Sequence, residues 1–320
     1  MRCRARAFTM QALVKYHGMR DWDLRIPYHD SISVNTDVAY VDATVEFGDF
    51  ESDVVVMNGQ IASGRSLERV IRVIDRVRAV AGIDHKVRVV TENHPKVRAK
   101  GMGYSAAAGA SIAKAALHAA GLGELAEDTR YLSRVARLLA GSACRSAAGK
   151  YARWYSGSSD EDSYADRIGD ERDLDLRFVL VPLAADITTE DAHREAESSP
   201  FFSQRVKTAN ERCDELERAI RDGDFESFGK LVERDTNELH AVTMTGDSGL
   251  ILASPDSLRV IGVVKSLRRR GVPAYYSMQT GPTVYVNTLP EHVDEVTEEL
   301  SRAGYFTLVS GVGEGATLIE

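Results

Sequence analysis

The sequence predicts a mixed α/β protein that contains antiparallel sheets. Segments in which apolar and polar residues alternate are typical of half-buried strands, and other segments repeat apolar residues every three or four positions, as amphipathic helices do. Asn58-Gly59 follows an apolar run and favours the tight turn of an antiparallel hairpin. Because 320 residues exceed the usual size of one domain, we expect one large α/β domain or two lobes that share a core.

The first third of the chain alternates strand and helix signals. Alternation predicts strands at 31–34, 43–47 and 53–57. From Ser66 onward apolar residues recur at three and four with Arg and Asp between them, which predicts an amphipathic helix of about four turns. The run Lys86–Thr91 then returns to a strand pattern. These elements predict a sheet covered by at least one helix.

The middle of the chain is rich in small residues and then becomes acidic. The segment GMGYSAAAGASIAKAALHAAG predicts a helix opened by a glycine loop, and a second helix of small residues is predicted over 142–155. The acidic, turn-rich stretch 156–175 is interpreted as a surface connection between lobes. We therefore predict an N-terminal lobe over 1–175 and a C-terminal lobe over 176–320.

The C-terminal half has fewer strand signals and longer helices. The predicted elements are a buried strand at 178–183, a long helical region at 201–239, a helix at 258–269, a strand at 285–287, a helix at 292–303 and a last strand at 305–309. No period of 20 to 50 residues repeats, which argues against a solenoid.

Charge and composition narrow the class of protein. The net charge is −8, without the basic excess of proteins that bind nucleic acid through phosphates. No apolar run is long enough to span a membrane, and Thr9, Gln11 and Lys15 interrupt any signal-peptide core, so we expect a cytoplasmic protein with no membrane partner. The three cysteines have neither disulfide nor zinc-site spacing, so no metal site is predicted.

Three local features could carry chemistry. Gly101, Gly103 and Ser105 lie in a loop between a strand and a helix, where backbone N–H groups can bind phosphate, although such glycines also serve packing alone. Arg145, about one turn into the small-residue helix, could bind a carboxylate or phosphate, or form a surface ion pair. Lys15 could place positive charge near a reacting oxygen or end a solvated strand. Cys144 is interpreted as a small buried residue, because a nucleophile needs a nearby base.

Several segments together resemble the mevalonate-pathway decarboxylases of the GHMP kinase superfamily. The segments are ALVKYHGMRD, similar to the family's ALVKYWGKRD, then GSACRS, SSPFF, DTNELHAV and YYSMQTGPTVYV, the last similar to YFTMDAGPNV. The resemblance extends over nearly the whole chain. It implies a two-lobed GHMP kinase fold with antiparallel sheets, a ribosomal S5 domain 2-like N-terminal lobe and a deep cleft. It also implies a homodimer that converts a phosphorylated mevalonate into an isopentenyl phosphate and carbon dioxide.

The resemblance assigns roles to residues of this chain. Lys15 matches the catalytic lysine, Tyr16 a substrate-contacting neighbour, and Ser142 with Arg145 the pair that holds the substrate carboxylate and C3 oxygen. The neighbouring substrate-binding residues are expected to be Gly141, Arg194, Gln279 and Thr280. With net charge −8, the chain must concentrate cations locally to bind such an anion, and we expect Lys15, Arg145 and Arg194 to do so.

Three departures from the family pattern affect the predicted reaction. Met19 replaces a second lysine that helps grip a 5-diphosphate, which favours one phosphate at C5, as in archaeal phosphomevalonate decarboxylases. Tyr104 replaces the first serine of the pair that helps bind ATP and magnesium, so the loop Gly101, Gly103 and Ser105 is interpreted as vestigial. Gln279 replaces the catalytic aspartate, and an amide cannot accept a proton as a carboxylate can.

These departures favour an ATP-independent carboxy-lyase that acts on mevalonate 3,5-bisphosphate without a cofactor. The main alternative is an ATP-dependent phosphomevalonate decarboxylase, which would use Mg-ATP through the backbone amides of the loop. A mevalonate 3-kinase also lacks the aspartate, but it retains the serine pair. A non-catalytic paralogue that binds a phosphorylated metabolite is a further alternative.

Overall fold

The computed structural model describes residues 1–97 and 99–319. Its larger sheet has eight strands in the order β12-β1-β2-β5-β3-β4, with β6 joined to β2 and β7 joined to β6. The strands are β1 (Arg2–Val14), β2 (Ser31–Gly48), β3 (Val54–Met57), β4 (Gln60–Ile61), β5 (Lys86–His94), β6 (Tyr151–Tyr155), β7 (Tyr164–Gly169) and β12 (Thr317–Leu318). All these pairs are antiparallel except β3 with β5.

Helices from the same part of the chain cover this sheet. They are α1 (Gly64–Ala81), α2 (Tyr104–Ala119), α3 (Gly123–Glu127), α4 (Thr129–Arg137) and α5 (Ala143–Ala148). α2 is buried along most of its length because its alanines and glycine let neighbours approach closely. A Cβ atom at Gly109 would lie 2.6 Å from the Cβ of Ala143 on α5. The small residues therefore bring α5, which carries Arg145, against the central helix.

The smaller sheet has four antiparallel strands in the order β11-β8-β10-β9. The strands are β8 (Arg177–Val181), β9 (Tyr275–Met278), β10 (Val284–Thr288) and β11 (Leu308–Ser310). The helices are α6 (Thr189–Ser198), α7 (Phe202–Arg221), α8 (Phe225–Met244), α9 (Pro255–Arg269) and α10 (Val293–Arg302). None of the described helices is long and apolar enough to cross a membrane.

One hydrophobic cluster contains residues of both sheets. Leu13 and Val14 of β1 and Ile32 of β2 pack in the same cluster as Phe178 of β8 and Phe228 of α8. The last strand, β12, pairs with β1 and so returns to the larger sheet. The division into lobes at residue 175 stays a prediction.

Most predicted elements are present, including the hairpin at Asn58-Gly59. The predicted helix over 142–155 is wrong beyond Ala148. Gly149 has φ +74°, and a Cβ there would lie 2.1 Å from the backbone of Gly315, so the helix ends and β6 begins. The alternating sequence YARWY then pairs with both β2 and β7.

Two other boundaries also differ from the prediction. The long helical region is two helices, because Gly223 has φ +64° between α7 and α8. The acidic stretch contains β7 and is more than a surface connection. Within it, Asp160 accepts hydrogen bonds from Arg76, Arg134 and the buried Arg137.

Candidate active site

A cavity of about 380 Å³ lies where the end of β1, the glycine loop, α5, the start of α6 and the turn after β9 meet. This volume lies within the range of small-molecule sites. Nine of the predicted site residues line the cavity: Lys15, Tyr16, Gly101, Gly103, Ser105, Ser142, Arg145, Gln279 and Thr280. The structure therefore brings these predicted residues together at one cavity.

Lys15 follows β1 and is buried at the cavity wall. Its Nζ donates to the carbonyl of Leu13 at 3.2 Å and lies 3.5 Å from Oδ2 of Asp235. Its backbone N–H donates to the same carboxylate oxygen at 3.0 Å. Burial lowers the pKa of Lys15 to about 8 although Asp235 opposes the shift, so at neutral pH Lys15 remains a cation.

Asp235 holds this wall together from α8. Arg205 of α7 donates to Oδ1 of Asp235 at 2.8 Å and to the carbonyl of Lys15 at 2.6 Å, and Arg212 lies 3.4 Å from the same carboxylate. Burial alone would raise the pKa of Asp235, but the attraction of Arg205, Lys15 and Arg212 outweighs burial and lowers it to about 2. Asp235 was not among the predicted site residues, although it begins DTNELHAV, one of the segments that carry the family resemblance.

Arg145 is a buried cation with no carboxylate partner among the described residues. Its Nη1 donates to the carbonyl of Ile32 at 3.3 Å, and its guanidinium carbon lies 5.4 Å from the centre of the Tyr16 ring. Within the described part of the chain, its Nε has no hydrogen-bond partner. An unpaired buried charge is costly. Since Arg145 lines the cavity, it can bind an anionic ligand there.

Gly141 and Ser142 stand just before α5. Ser142 is half-buried and lines the cavity. Gly141 does not line it; instead a Cβ at Gly141 would lie 2.4 Å from the hydroxyl oxygen of Tyr16. Tyr16 also packs edge-to-face on Trp154, with ring centres 4.8 Å apart. Gly141 thus makes room for Tyr16, and Tyr16 forms the wall beside Arg145.

The glycine loop has the geometry to present backbone N–H groups. Gly101 and Gly103 have φ +92° and +84°, and a Cβ at Gly103 would lie 2.9 Å from the carbonyl oxygen of Met10. The first helical bonds of α2 are donated by Ala106 and Ala107, so the N–H groups of Tyr104 and Ser105 have no helical partner. These groups lie at the positive end of a 16-residue helix, where phosphate binds well.

Contacts on both sides of the loop fix the side chain of Tyr104. Its hydroxyl donates to the carbonyl of Pro95 at 2.5 Å, and its ring packs against both large core clusters. Burial raises the pKa of Tyr104 to about 12. The side chain is therefore anchored between α2 and the segment after β5, although part of it lines the cavity.

Gln279 joins the turn after β9 to the glycine loop. Its Nε2 lies 2.9 Å from the carbonyl oxygen of Met10, 3.1 Å from that of Gly101 and 3.1 Å from the hydroxyl of Tyr285, which donates to Gly101 at 3.0 Å. An amide can donate to these carbonyl oxygens, and a carboxylate cannot. Gln279 therefore positions the loop.

Two histidines that sequence analysis missed line the cavity. Nε2 of His17 lies 3.0 Å from Oγ1 of Thr280. Nδ1 of His193, on α6, accepts a hydrogen bond from the N–H of Gly18 at 3.0 Å. Burial lowers the pKa of His17 well below its ordinary value and that of His193 to about 3, so both are neutral. His17 lies in ALVKYHGMRD, one of the segments that carry the family resemblance, whereas the single His193 had no spacing signal.

Arg194, by contrast, lies outside the cavity. It is exposed on α6, with its guanidinium carbon 5.6 Å from the centre of the Trp22 ring. Thr189 and His193 are one turn apart and face the cavity, so the next residue along the helix points away. The expectation that Arg194 contributes to the local concentration of cations is corrected by this helical phase.

A second group of cations lies behind Tyr16. Arg25 and Arg69 lie 3.5 and 3.2 Å from Oε1 of the buried Glu190. Burial, followed by the repulsion of Arg25, lowers the pKa of Arg69 to about 10. These contacts join α1 to α6. Lys100, which sequence analysis also missed, lines the cavity next to the glycine loop.

Cys144 is buried, as predicted. Its thiol donates to the carbonyl of Gly141 at 2.9 Å, and burial raises its pKa to about 12. A thiol with this pKa is protonated at neutral pH and is a poor nucleophile.

Known proteins are similar to this chain over most of its length. The diphosphomevalonate decarboxylase-like N-terminal domain matches residues 7–165, and the mevalonate 5-diphosphate decarboxylase C-terminal domain matches residues 187–310. The phosphomevalonate decarboxylase of Haloferax volcanii is 41% identical, covering 100% of this chain and 98% of the relative. The mevalonate 3,5-bisphosphate decarboxylase of Thermoplasma acidophilum is 27% identical, covering 93% of this chain and 73% of the relative.

Solved structures give the same result. The mevalonate diphosphate decarboxylase of Staphylococcus aureus superposes with a TM-score of 0.91 at 30% identity, covering 100% of this chain and 98% of that one. The enzyme of Enterococcus faecalis gives 0.92 at 28% identity, with coverage of 100% and 99%. The two-lobed GHMP kinase fold is confirmed, and the chain belongs to the mevalonate-pathway decarboxylase family. It is therefore a carboxy-lyase of that family.

Proposed function

We propose that this protein is an ATP-dependent decarboxylase of mevalonate 5-phosphate. It would phosphorylate the C3 hydroxyl and then release carbon dioxide and phosphate to give isopentenyl phosphate. The observation that carries the proposal is that one cavity joins Lys15 and Arg145 to the open amides of the glycine loop. A decarboxylase whose substrate already has a 3-phosphate needs the two cations but not the loop.

The cations would bind and activate the mevalonate part. Arg145 is buried and has no anionic partner in residues 1–97 and 99–319, so it would hold the carboxylate that leaves as carbon dioxide. Ser142 would donate to this carboxylate or to the C3 oxygen. Lys15 would stabilise the negative charge that develops on the leaving 3-phosphate. Met19 is buried in an apolar cluster with Tyr16 and Trp154, so that position supplies no cation for a second phosphate at C5.

The loop side would bind ATP as the second substrate. The N–H groups of Tyr104 and Ser105, the Ser105 hydroxyl and the Lys100 ammonium are available to its phosphates. ATP would supply the phosphoryl group. The Haloferax volcanii relative, a phosphomevalonate decarboxylase, supports the 5-phosphate, and the Enterococcus faecalis enzyme, whose ATP binding is mediated by mevalonate diphosphate, supports the nucleotide.

Gln279 favours a second candidate. Its amide donates to carbonyl oxygens and cannot take a proton from the C3 hydroxyl, which suits the ATP-independent decarboxylation of mevalonate 3,5-bisphosphate. The Thermoplasma acidophilum relative has that activity in its name. We place this candidate second because it gives no role to the glycine loop.

One assay tests both candidates. The protein is incubated with mevalonate 5-phosphate and MgATP, and in parallel with mevalonate 3,5-bisphosphate alone, while ADP and carbon dioxide are followed. We expect equal amounts of ADP and carbon dioxide in the first reaction. Turnover of the bisphosphate with no ADP formation from the 5-phosphate would support the second candidate. ADP without carbon dioxide would identify a kinase, and no turnover a non-catalytic paralogue.

A further inference from the structure

The cavity contains no carboxylate among its described lining residues. Transfer of a phosphoryl group to the C3 hydroxyl displaces the hydroxyl proton, and a positioned acceptor usually accelerates this step. If the proposed function holds, another group must take the proton. The candidates that line the cavity are Lys15, His193 and His17.

Two of these candidates have no nitrogen lone pair free to accept a proton. Lys15 is a cation at neutral pH, because its pKa is about 8 and its Nζ donates to Leu13 beside Asp235. Nδ1 of His193 accepts from the N–H of Gly18, so the proton of the neutral ring must be on Nε2. Neither group can accept a proton in this state.

His17 differs from both. Its ring is neutral, and its Nε2 lies 3.0 Å from Oγ1 of Thr280, the residue next to Gln279 in the turn after β9. Its Nδ1 has no partner among the described residues. With the hydrogen on Nδ1, Nε2 is free to accept from the Thr280 hydroxyl. Both residues line the cavity, and they connect the end of β1 with the smaller sheet.

We propose that Thr280 and His17 form a proton relay for the C3 hydroxyl of the substrate. The hydroxyl proton passes to Oγ1 of Thr280 as the Thr280 proton passes to Nε2 of His17. The C3 oxygen forms a bond to the γ-phosphorus of ATP, and the bond between that phosphorus and the ADP oxygen breaks, with its electron pair leaving on ADP. His17 becomes an imidazolium and returns its proton to solvent or to the leaving phosphate after decarboxylation.

The charges around His17 fit this role. Burial lowers the pKa of His17 most, and the neighbouring His193, Arg205, His240 and His29 lower it further. A bound substrate and nucleotide bring several negative charges into the same cavity and stabilise the imidazolium. The acceptor is therefore neutral in the free protein and becomes more basic when the anions bind.

The test separates phosphorylation from decarboxylation. His17→Phe keeps a ring of similar size but has no proton acceptor. It should reduce ADP formation from mevalonate 5-phosphate and MgATP by at least about 100-fold, and carbon dioxide release from mevalonate 3,5-bisphosphate by a much smaller factor, because that reaction has no C3 hydroxyl to deprotonate. Equal loss of both reactions shows a structural role and overturns the proposal, as does unchanged ADP formation.

Thr280 supplies the matched pair of variants. Thr280→Ser keeps the hydroxyl and should keep ADP formation within about fivefold, whereas Thr280→Val should lose about 100-fold. Equal ADP formation by the two variants contradicts the relay. This comparison does not require the protein to turn over mevalonate 3,5-bisphosphate. Thermal unfolding shows that each variant folds. If the wild type itself forms no ADP, the proposed function is wrong, and the relay is wrong with it. If the wild type forms ADP and the variants form it equally well, the relay alone is wrong.

Discussion

Lys15 and the glycine loop lie on two sides of one cavity, but different interactions fix them. Lys15 is held by a buried ionic network. Asp235 accepts from its main-chain N–H and lies 3.5 Å from its ammonium. Arg205 donates to the main-chain carbonyl of Lys15 and to Asp235. The loop is held by neutral groups: the Gln279 amide and the Tyr285 hydroxyl bind the Gly101 carbonyl. We call these the ionic side, with Arg145 included, and the neutral side.

The difference indicates what each side must do. A site for an anion gains from fixed positive charge that is desolvated before the ligand arrives. A loop that offers backbone N–H groups needs its carbonyl oxygens turned away and bonded, which neutral donors do without placing a charge beside ATP. Gln279 thus fits the neutral side, although the family pattern has a carboxylate, the catalytic aspartate, at this position.

The largest effect should come from Arg145 on the ionic side. Arg145→Met should lower kcat/KM by roughly 1,000-fold, because the substrate carboxylate loses its charged partner. The same change should not lower the free energy of unfolding, since it removes a buried charge that has no carboxylate partner among the described residues. Steady-state kinetics and urea unfolding measure the two effects.

Arg205→Met is the control for that stability argument. Arg205 is as buried as Arg145 but is paired with Asp235 at 2.8 Å. Breaking a buried pair costs about 3–5 kcal/mol. If Arg145→Met destabilises the protein as much as Arg205→Met, Arg145 is part of the structural network and the division of the ionic side into free and paired cations is wrong.

Asp235 tests whether the network sets the charge of Lys15. Asp235→Asn should lower the free energy of unfolding by about 3–5 kcal/mol. It should also move the alkaline limb of kcat to lower pH, because Asp235 raises the pKa of Lys15 and that contribution is lost. A pH profile of kcat that is unchanged in Asp235→Asn would contradict the role of Lys15 as a required cation.

Local patterns predicted the two sides unequally. The hairpin, the glycine loop and the helix of small residues follow from short-range rules, so their positions in the chain were predictable. The motif resemblance placed Lys15, Arg145 and Gln279 in one site. The contact of Lys15 with Asp235 joins residues 220 positions apart, and no periodicity of the sequence encodes such a pair.

Helix phase and tertiary contact explain the remaining errors. Arg194 lies one position from His193, and without the packing of α6 nothing indicates which of the two faces inward. The helix predicted through Tyr155 ended at Gly149 because the chain near Gly315 approaches its backbone. Both errors concern surroundings that come from distant parts of the chain.

Gln279 tests the neutral side. Gln279→Glu places a carboxylate against the carbonyl oxygens of Met10 and Gly101, which removes two donors and adds repulsion. The loss of about 1–3 kcal/mol should raise the KM for ATP by roughly 5- to 150-fold. Turnover of mevalonate 3,5-bisphosphate, if the protein accepts it, should change much less. An equal effect on both substrates would show that Gln279 serves the whole cavity and not the loop.

The smallest effects should come from the buried neutral histidines. Burial is the main cause that lowers the pKa of His193 to about 3 and those of His29 and His240 to about 4, from 6.5. Below pH 6.5 the unfolded chain binds protons that the folded protein does not, so the free energy of unfolding falls as the pH falls. Each histidine contributes a slope of about 1.4 kcal/mol per pH unit at most.

Urea unfolding between pH 6.5 and 5 measures this slope in a window above the low pKa of Asp235, whose contribution is lost only as the pH falls from 3.8 towards about 2. His193→Gln should reduce the slope of the free energy of unfolding against pH by the contribution of one histidine. Because His193 lines the cavity, bound anions should reduce its share as well, since they favour the protonated ring in the folded protein. A slope that inorganic phosphate or ATP leaves unchanged would place His193 outside the reach of the ligands, and the neutral histidines would then belong to the core and not to the site.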